Sequence, residues 1–191
     1  MHSEEETPAM TTTTTTAVAD TLQRLYFVRF AFAIAWALAL FTTAKDLGVL
    51  AGTLLVIYPL FDVGAAVVDA RSSHRTGSVV GLYVNMAVSS ITAIAVAVAA
   101  TSGIPDVLRV WGTWAIVAGA VQLAVSLSRR AMGGQWPLIL SGAISVLAGA
   151  SFIAGAGADD PTLAGAAGYA IPGGVFFLVS ALRLRSASKG K

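Results

Sequence analysis

The sequence predicts an all-α fold: a polytopic membrane helical bundle of six transmembrane helices, arranged as three repeated helical hairpins. Three observations lead there. The charged fraction is 12%, about half the roughly 25% of soluble proteins, and the mean hydropathy is +0.77. Six apolar windows each reach the length of about 20 residues that a bilayer core of about 30 Å requires. Equivalent residues also recur in those windows at matching depth.

Residues 1–20 stand apart from the rest. Glu4, Glu5 and Glu6 form an acidic run and Thr11–Thr16 is a homopolymer. Neither can bury enough apolar area to offset chain entropy, so this stretch is expected to be a disordered cytoplasmic tail. Its acidic start does not suit a secretory signal peptide, which opens with basic residues. Asp20, with Gln23 three positions on, resembles a capping box and sets the expected start of the first helix.

The expected spans are Leu22–Thr43, Leu47–Val68, Val79–Ala100, Val107–Leu127, Trp136–Ala156 and Thr162–Leu184, within a membrane domain of residues 21–186. Residues 187–191 form a short basic tail. Connections alternate in charge. Asp46, Asp106, Asp159 and Asp160 fall on one side. Arg71, Arg75, Arg129, Arg130, Arg183, Arg185, Lys189 and Lys191 fall on the other, with only Lys45 and Arg109 out of place. Basic residues near helix ends stay cytoplasmic, so both termini are expected in the cytoplasm of a multi-pass cell-membrane protein. Anionic lipid headgroups at that face are a second reading of the same charges. The basic residues are loop-end pairs rather than one patch with interleaved aromatics, so nucleic acid is not an expected partner.

The repeat is read from registers. Gly52-Thr53-Leu54 aligns with Gly112-Thr113-Trp114, which sets Asp62 against Gln122 and Asp69 against Arg129. Gly168-Tyr169 extends this to the sixth span, with Leu178 at the Asp62 position and Arg185 at the Arg129 position. In the odd spans Arg29, Asn85 and Ser141 correspond. The three hairpins are parallel repeats.

Asp62 is the most informative residue. It lies about 13 Å inside the helix end marked by Arg71, where a charge costs at least about 2.5–3.5 kcal/mol and needs a partner. Arg29 is the other ionisable residue deep in a span. Asn85 and Gln122 come to the same level, so Arg29, Asp62, Asn85 and Gln122 form a candidate intramembrane polar layer. Three readings stand. The layer is interhelical glue, with Arg29 and Asp62 neutralising each other; it is a solute or proton site; or Arg29 snorkels to the interface. Pro59 and Pro172-Gly173-Gly174 are expected to kink or break their helices. Gly48-x-x-x-Gly52 and Ala115-x-x-x-Gly119 suit close helix approach, within the chain or in a homo-oligomer. Trp111, Trp114, Trp136 and Tyr169 are expected at the interfaces.

One segment carries a resemblance. Ser128-Arg129-Arg130-Ala131-Met132-Gly133-Gly134-Gln135-Trp136, followed by Leu138-Ile139-Leu140-Ser141-Gly142 and Leu147-Ala148-Gly149, resembles the HdeD-like family of small integral membrane proteins. Tyr58-Pro59-Leu60-Phe61-Asp62-Val63 with Ala70-Arg71 is similar to its actinobacterial members. The resemblance covers roughly residues 22–185. It implies six spans and a structural or stress role, with a link to acid tolerance. It implies no catalytic residues and does not extend to the Thr-rich tail.

Chemistry is otherwise sparse. The chain has no cysteine and two histidines, His2 and His74, and lacks a P-loop, an HExxH and a GxSxG. Asp159-Asp160 reads as a turn feature rather than a metal site. The expectation is therefore a non-enzymatic membrane protein without a cofactor. Its partner is the lipid bilayer, and the competing function is small-solute or proton transport through the Asp62 layer.

Overall fold

The apolar windows form six long helices. The computed structural model describes the backbone of residues 7–73 and 79–189, and the side chains of residues 18–73 and 79–186. In order, α1 is Thr7–Phe41, α2 Val49–Ser73, α3 Val80–Ala99, α4 Ile104–Ser128, α5 Trp136–Gly155 and α6 Ala164–Lys189. A single 3₁₀ turn, Arg130–Met132, lies between α4 and α5. No strand occurs among the described residues. Each of the six is long and apolar enough to cross a membrane, so the chain is an integral membrane protein.

Helix ends differ from expectation in places. α1 begins at Thr7 and runs through Asp20 without a break. The capping box at Asp20 is therefore not a helix start, and a disordered stretch up to residue 20 does not describe residues 7–20. Once a helix is nucleated, each further residue adds a hydrogen bond, and here the apolar helix supplies the nucleus. Val18 is already buried, packed with Leu22, Tyr26, Leu138 and Leu184. Residues 1–6, His74, Arg75 and Lys191 lie outside the described residues, as does the Lys189 side chain. Pro59 and Pro172 sit inside α2 and α6, which continue across them. The expected break at Pro172-Gly173-Gly174 is absent.

The helices close into a ring. The most extensive contacts join α4 to α5, α1 to α6 and α2 to α3, while α3 with α4, α1 with α2 and α5 with α6 touch less. The tighter pairs thus join one hairpin to the next, and the last to the first. This alternation is what a threefold repeat closed on itself produces.

Inward-facing residues follow the repeat. Arg29, Asn85 and Ser141 all face the centre, as do Tyr26, Leu82 and Leu138 one turn away. The second and fourth spans keep the expected register: Tyr58 with Ala118, Asp62 with Gln122, Asp69 with Arg129. The sixth is shifted by one. Phe177, not Leu178, stands opposite Asp62's position, and Leu184, not Arg185, is the buried counterpart of Asp69 and Arg129. Gly168 alone matches Gly52 and Gly112, and apolar helices carry few residues that fix register.

Close approach occurs elsewhere than Gly48-x-x-x-Gly52. A Cβ on Gly48 would meet nothing within 4 Å, and one on Gly52 would lie 3.9 Å from Ala100. The close contact is between α4 and α5. A Cβ on Gly142 would lie 2.8 Å from the Gly119 carbonyl oxygen, and one on Gly119 would lie 2.9 Å from that of Gly142. Small residues here let two backbones touch.

Candidate functional site

The ring encloses a cavity of about 120 Å³ to which all six helices contribute side chains. A water in the liquid takes about 30 Å³, so there is room for about four. The polar side chains facing it form three tiers.

The middle tier is built on Asp62, which is 5% exposed. The guanidinium of Arg29 pairs with its Oδ1. The Asn85 amide and the Ser89 hydroxyl both donate to Oδ2, the latter at 2.9 Å. Burial of an unpaired carboxylate would be prohibitive, and a cation with two neutral donors offsets that cost. Arg29 also lies over the Phe177 ring, 4.4 Å from its centroid, a cation–π contact that helps desolvate the guanidinium. Arg29 therefore turns inward and does not snorkel. Three of the four residues of the expected layer meet directly. Gln122 lines the same cavity but donates to the Leu138 carbonyl at 3.1 Å. The reason lies in the ring: α4 packs most tightly on α5, which carries Leu138.

The sequence reading missed Ser89 as a member of this tier. A clue was present, because Ser89 is one turn beyond Asn85 on the same face of α3. Ser89 also accepts a hydrogen bond from Trp114 Nε1 at 3.0 Å. That links Asp62 to the first tier, an aromatic cluster nearer the end bearing the acidic loops. Trp36 stacks on Trp111 at 5.4 Å between centroids, and Tyr58 meets Trp36, Trp111 and Trp114 edge-on. Trp111 and Trp114 are thus core residues rather than interface anchors. Of the four aromatics expected at the interfaces, Trp136 is the exposed one, at 66%. Tyr169 instead bonds Ser145 inside the bundle.

The third tier lies at the basic end. Arg129 Nη1 reaches both oxygens of Asp69 at 2.9 Å, and the Ser73 hydroxyl donates to the same carboxylate at 2.9 Å. Arg129 was expected as a topology signal open to headgroups; it faces Asp69 instead. The loop after it folds over the cavity end. Gly133 and Gly134 adopt φ of 77° and 67°, a left-handed region that favours glycine. Ser180 donates to the Gly134 carbonyl at 2.6 Å. This turn places Gln135 in the cavity wall, where Nε2 donates to the Gly133 carbonyl at 3.1 Å. Oε1 has no partner among the described residues.

Two aspartates and two arginines thus face one enclosed space, with no net charge. Among the described residues no group of three or more His, Cys, Asp or Glu gathers to hold a metal. No protein-family model, curated protein or solved structure matches the chain.

Proposed function

We propose that this is a non-enzymatic protein of the cytoplasmic membrane, both termini inside, which binds and passes a small solute or protons through its central cavity. The observation that carries this reading is the cavity's reach to Asp62. A bundle under selection for stability alone would fill its centre with apolar side chains. Replacing a buried ion pair by packed hydrophobics is commonly neutral or stabilising, and this ring holds two pairs. A dry void of this size would cost about 3 kcal/mol at 24 cal/mol per Å³. The Gln135 amide, beside the Tyr26 hydroxyl, presents polar groups to water or solute in the wall. Buried ionisable groups beside water-sized space are the usual marks of a solute or proton path.

A second reading is the structural or stress role implied by the resemblance to the HdeD-like family, with its link to acid tolerance. The full pairing of Asp62 by Arg29, Asn85 and Ser89 favours it. Purified protein in proteoliposomes separates the two, with a pH-sensitive dye inside and a panel of small solutes outside. Under the first reading, flux exceeds that of protein-free vesicles and Asp62→Asn removes it in protein that still folds. No flux in any arm, from protein that inserts and folds, supports the second.

A further inference from the structure

Trp114 belongs to two cavities at once. It lines the central cavity and also a groove of about 400 Å³ between α3 and α4. The remaining walls of this groove include Val88, Ile91, Thr92, Thr113 and Val117. Ile91 is 67% exposed, so the groove opens on the outer surface of a ring that sits in lipid. It exists because α3 and α4 belong to one of the looser pairs in the ring.

The groove is graded in polarity. Arg109 stands at its acidic-loop end, paired with Asp106 and exposed. Thr113 follows one turn on. Val88 and Val117 form the far, apolar end. Arg109 with Asp106 leaves no net charge at that mouth, and the four charged groups of the central cavity also cancel. A net charge brought between helices would meet no compensating group, at a cost of several kcal/mol. The shape and chemistry therefore suit an uncharged amphipathic molecule dissolved in the bilayer, its polar end at Arg109 and Thr113.

We propose that this groove is a lateral portal through which an uncharged amphipathic solute passes from the bilayer into the central cavity, with Trp114 as its door. The indole is held closed by its Nε1 bond to the Ser89 hydroxyl and by edge contacts with Tyr58 and Trp111, and Ser89 in turn donates to Asp62. Occupancy of the cavity at Asp62 and the position of the door are thereby linked. The portal rests on the solute-cavity reading given above, but its test does not depend on flux.

The chain has no cysteine, so single reporters can be placed at will. Ala118→Cys puts a thiol in the cavity wall one turn from Trp114; Ile91→Cys is the exposed groove control. Each is reacted in proteoliposomes with N-phenylmaleimide, which partitions into lipid, and with a sulfonated maleimide, which does not. The portal predicts that Ala118→Cys reacts with the lipid-soluble reagent, and that adding Trp114→Ala accelerates this at least fivefold. The sulfonated reagent should show no acceleration. Trp114→Phe keeps the ring but loses the bond to Ser89, and should give an intermediate rate if the alanine variant does not fold. Equal rates with and without Trp114, or equal rates for both reagents, would overturn the portal and place access at the ends of the bundle. Reaction at Ile91→Cys alone would show a groove that holds lipid but does not lead inward, and would also overturn it. Lipid-side labelling without flux would sink the transport reading and leave the portal standing.

Discussion

Asp69 and Arg129 are the same position in two copies of the hairpin, and they are bound to each other. One guanidinium nitrogen of Arg129 lies 2.9 Å from both carboxylate oxygens of Asp69. Equivalent inward positions of a closed ring meet near its centre, so a repeat that diverged to opposite charges supplies its own counter-ion. Both side chains are about one-tenth exposed. Removing one partner from such a pair costs about 3–5 kcal/mol, whereas replacing both by apolar residues is often neutral. Arg129→Met should therefore lower the melting temperature in detergent clearly, and Arg129→Met with Asp69→Leu should regain most of the loss. Additive losses would show that the pair is not coupled.

The Arg29–Asp62 pair should behave differently, because its carboxylate has neutral donors as well. Asp62→Asn leaves Arg29 over Phe177 with no counter-ion and is expected to destabilise by several kcal/mol. Arg29→Met leaves Asp62 with the neutral donors Asn85 and Ser89. The variant Arg29→Met should thus lose less than Asp62→Asn. The double change Arg29→Met with Asp62→Leu should recover much of the loss of Asp62→Asn. Thermal unfolding of the three variants measures this. A larger loss for Arg29→Met would assign the neutral donors little weight.

The helix contacts make opposite predictions for two glycines. Gly142→Ala would place a methyl 2.8 Å from the Gly119 carbonyl oxygen and 2.9 Å from the Leu123 nitrogen. Backbone atoms cannot turn aside, so α4 and α5 must separate, at a cost of about 1–3 kcal/mol. Gly173→Ala meets nothing within 4 Å and should be neutral or stabilising by up to about 1 kcal/mol, the helix preference of alanine. Melting temperatures of the two variants test the α4–α5 contact. Tolerance of alanine at 142 would mean the two backbones are not in contact.

Much of this architecture was legible because lipid imposes it. Span length and the cost of buried charge point directly to six helices and to Asp62 with Arg29 and Asn85. What the sequence could not show is which helix each face meets. Gln122 was placed with Asp62 by depth alone, yet its partner is the Leu138 carbonyl on α5. Trp111 and Trp114 have the composition of interface anchors, and only ring closure turns them inward. Arg129 reads as a loop charge until Asp69 is found opposite. The sixth-span register differs because one matching glycine, Gly168, cannot fix the rotation of an apolar helix.

The remaining prediction is the orientation of the bundle. Arg71, Arg130, Arg183 and Arg185 are exposed at one end, together with the Arg129–Asp69 pair. Pairing in the folded protein does not remove Arg129 from the topology argument, because a basic residue exerts its effect as the helices insert, before α2 and α4 meet. Arg109, on the opposite side, pairs with Asp106 three residues away. That partner is on the same helix and is present throughout insertion, so Arg109 should carry less weight. The basic end is thus expected in the cytoplasm. Ser73 is a poor reporter of this, since it is buried and bonded to Asp69. Gly103 is another, since its φ of 121° would strain a cysteine. Arg130 and Ser102 are exposed and suit the purpose. In intact cells an impermeant maleimide should label Ser102→Cys and not Arg130→Cys, and in inside-out vesicles the pattern should reverse. Because Arg130→Cys removes one of the charges under test, Ala131→Cys on the same turn, also exposed, serves as its check. Labelling of both basic-end reporters from outside, with Ser102→Cys protected, would invert the orientation.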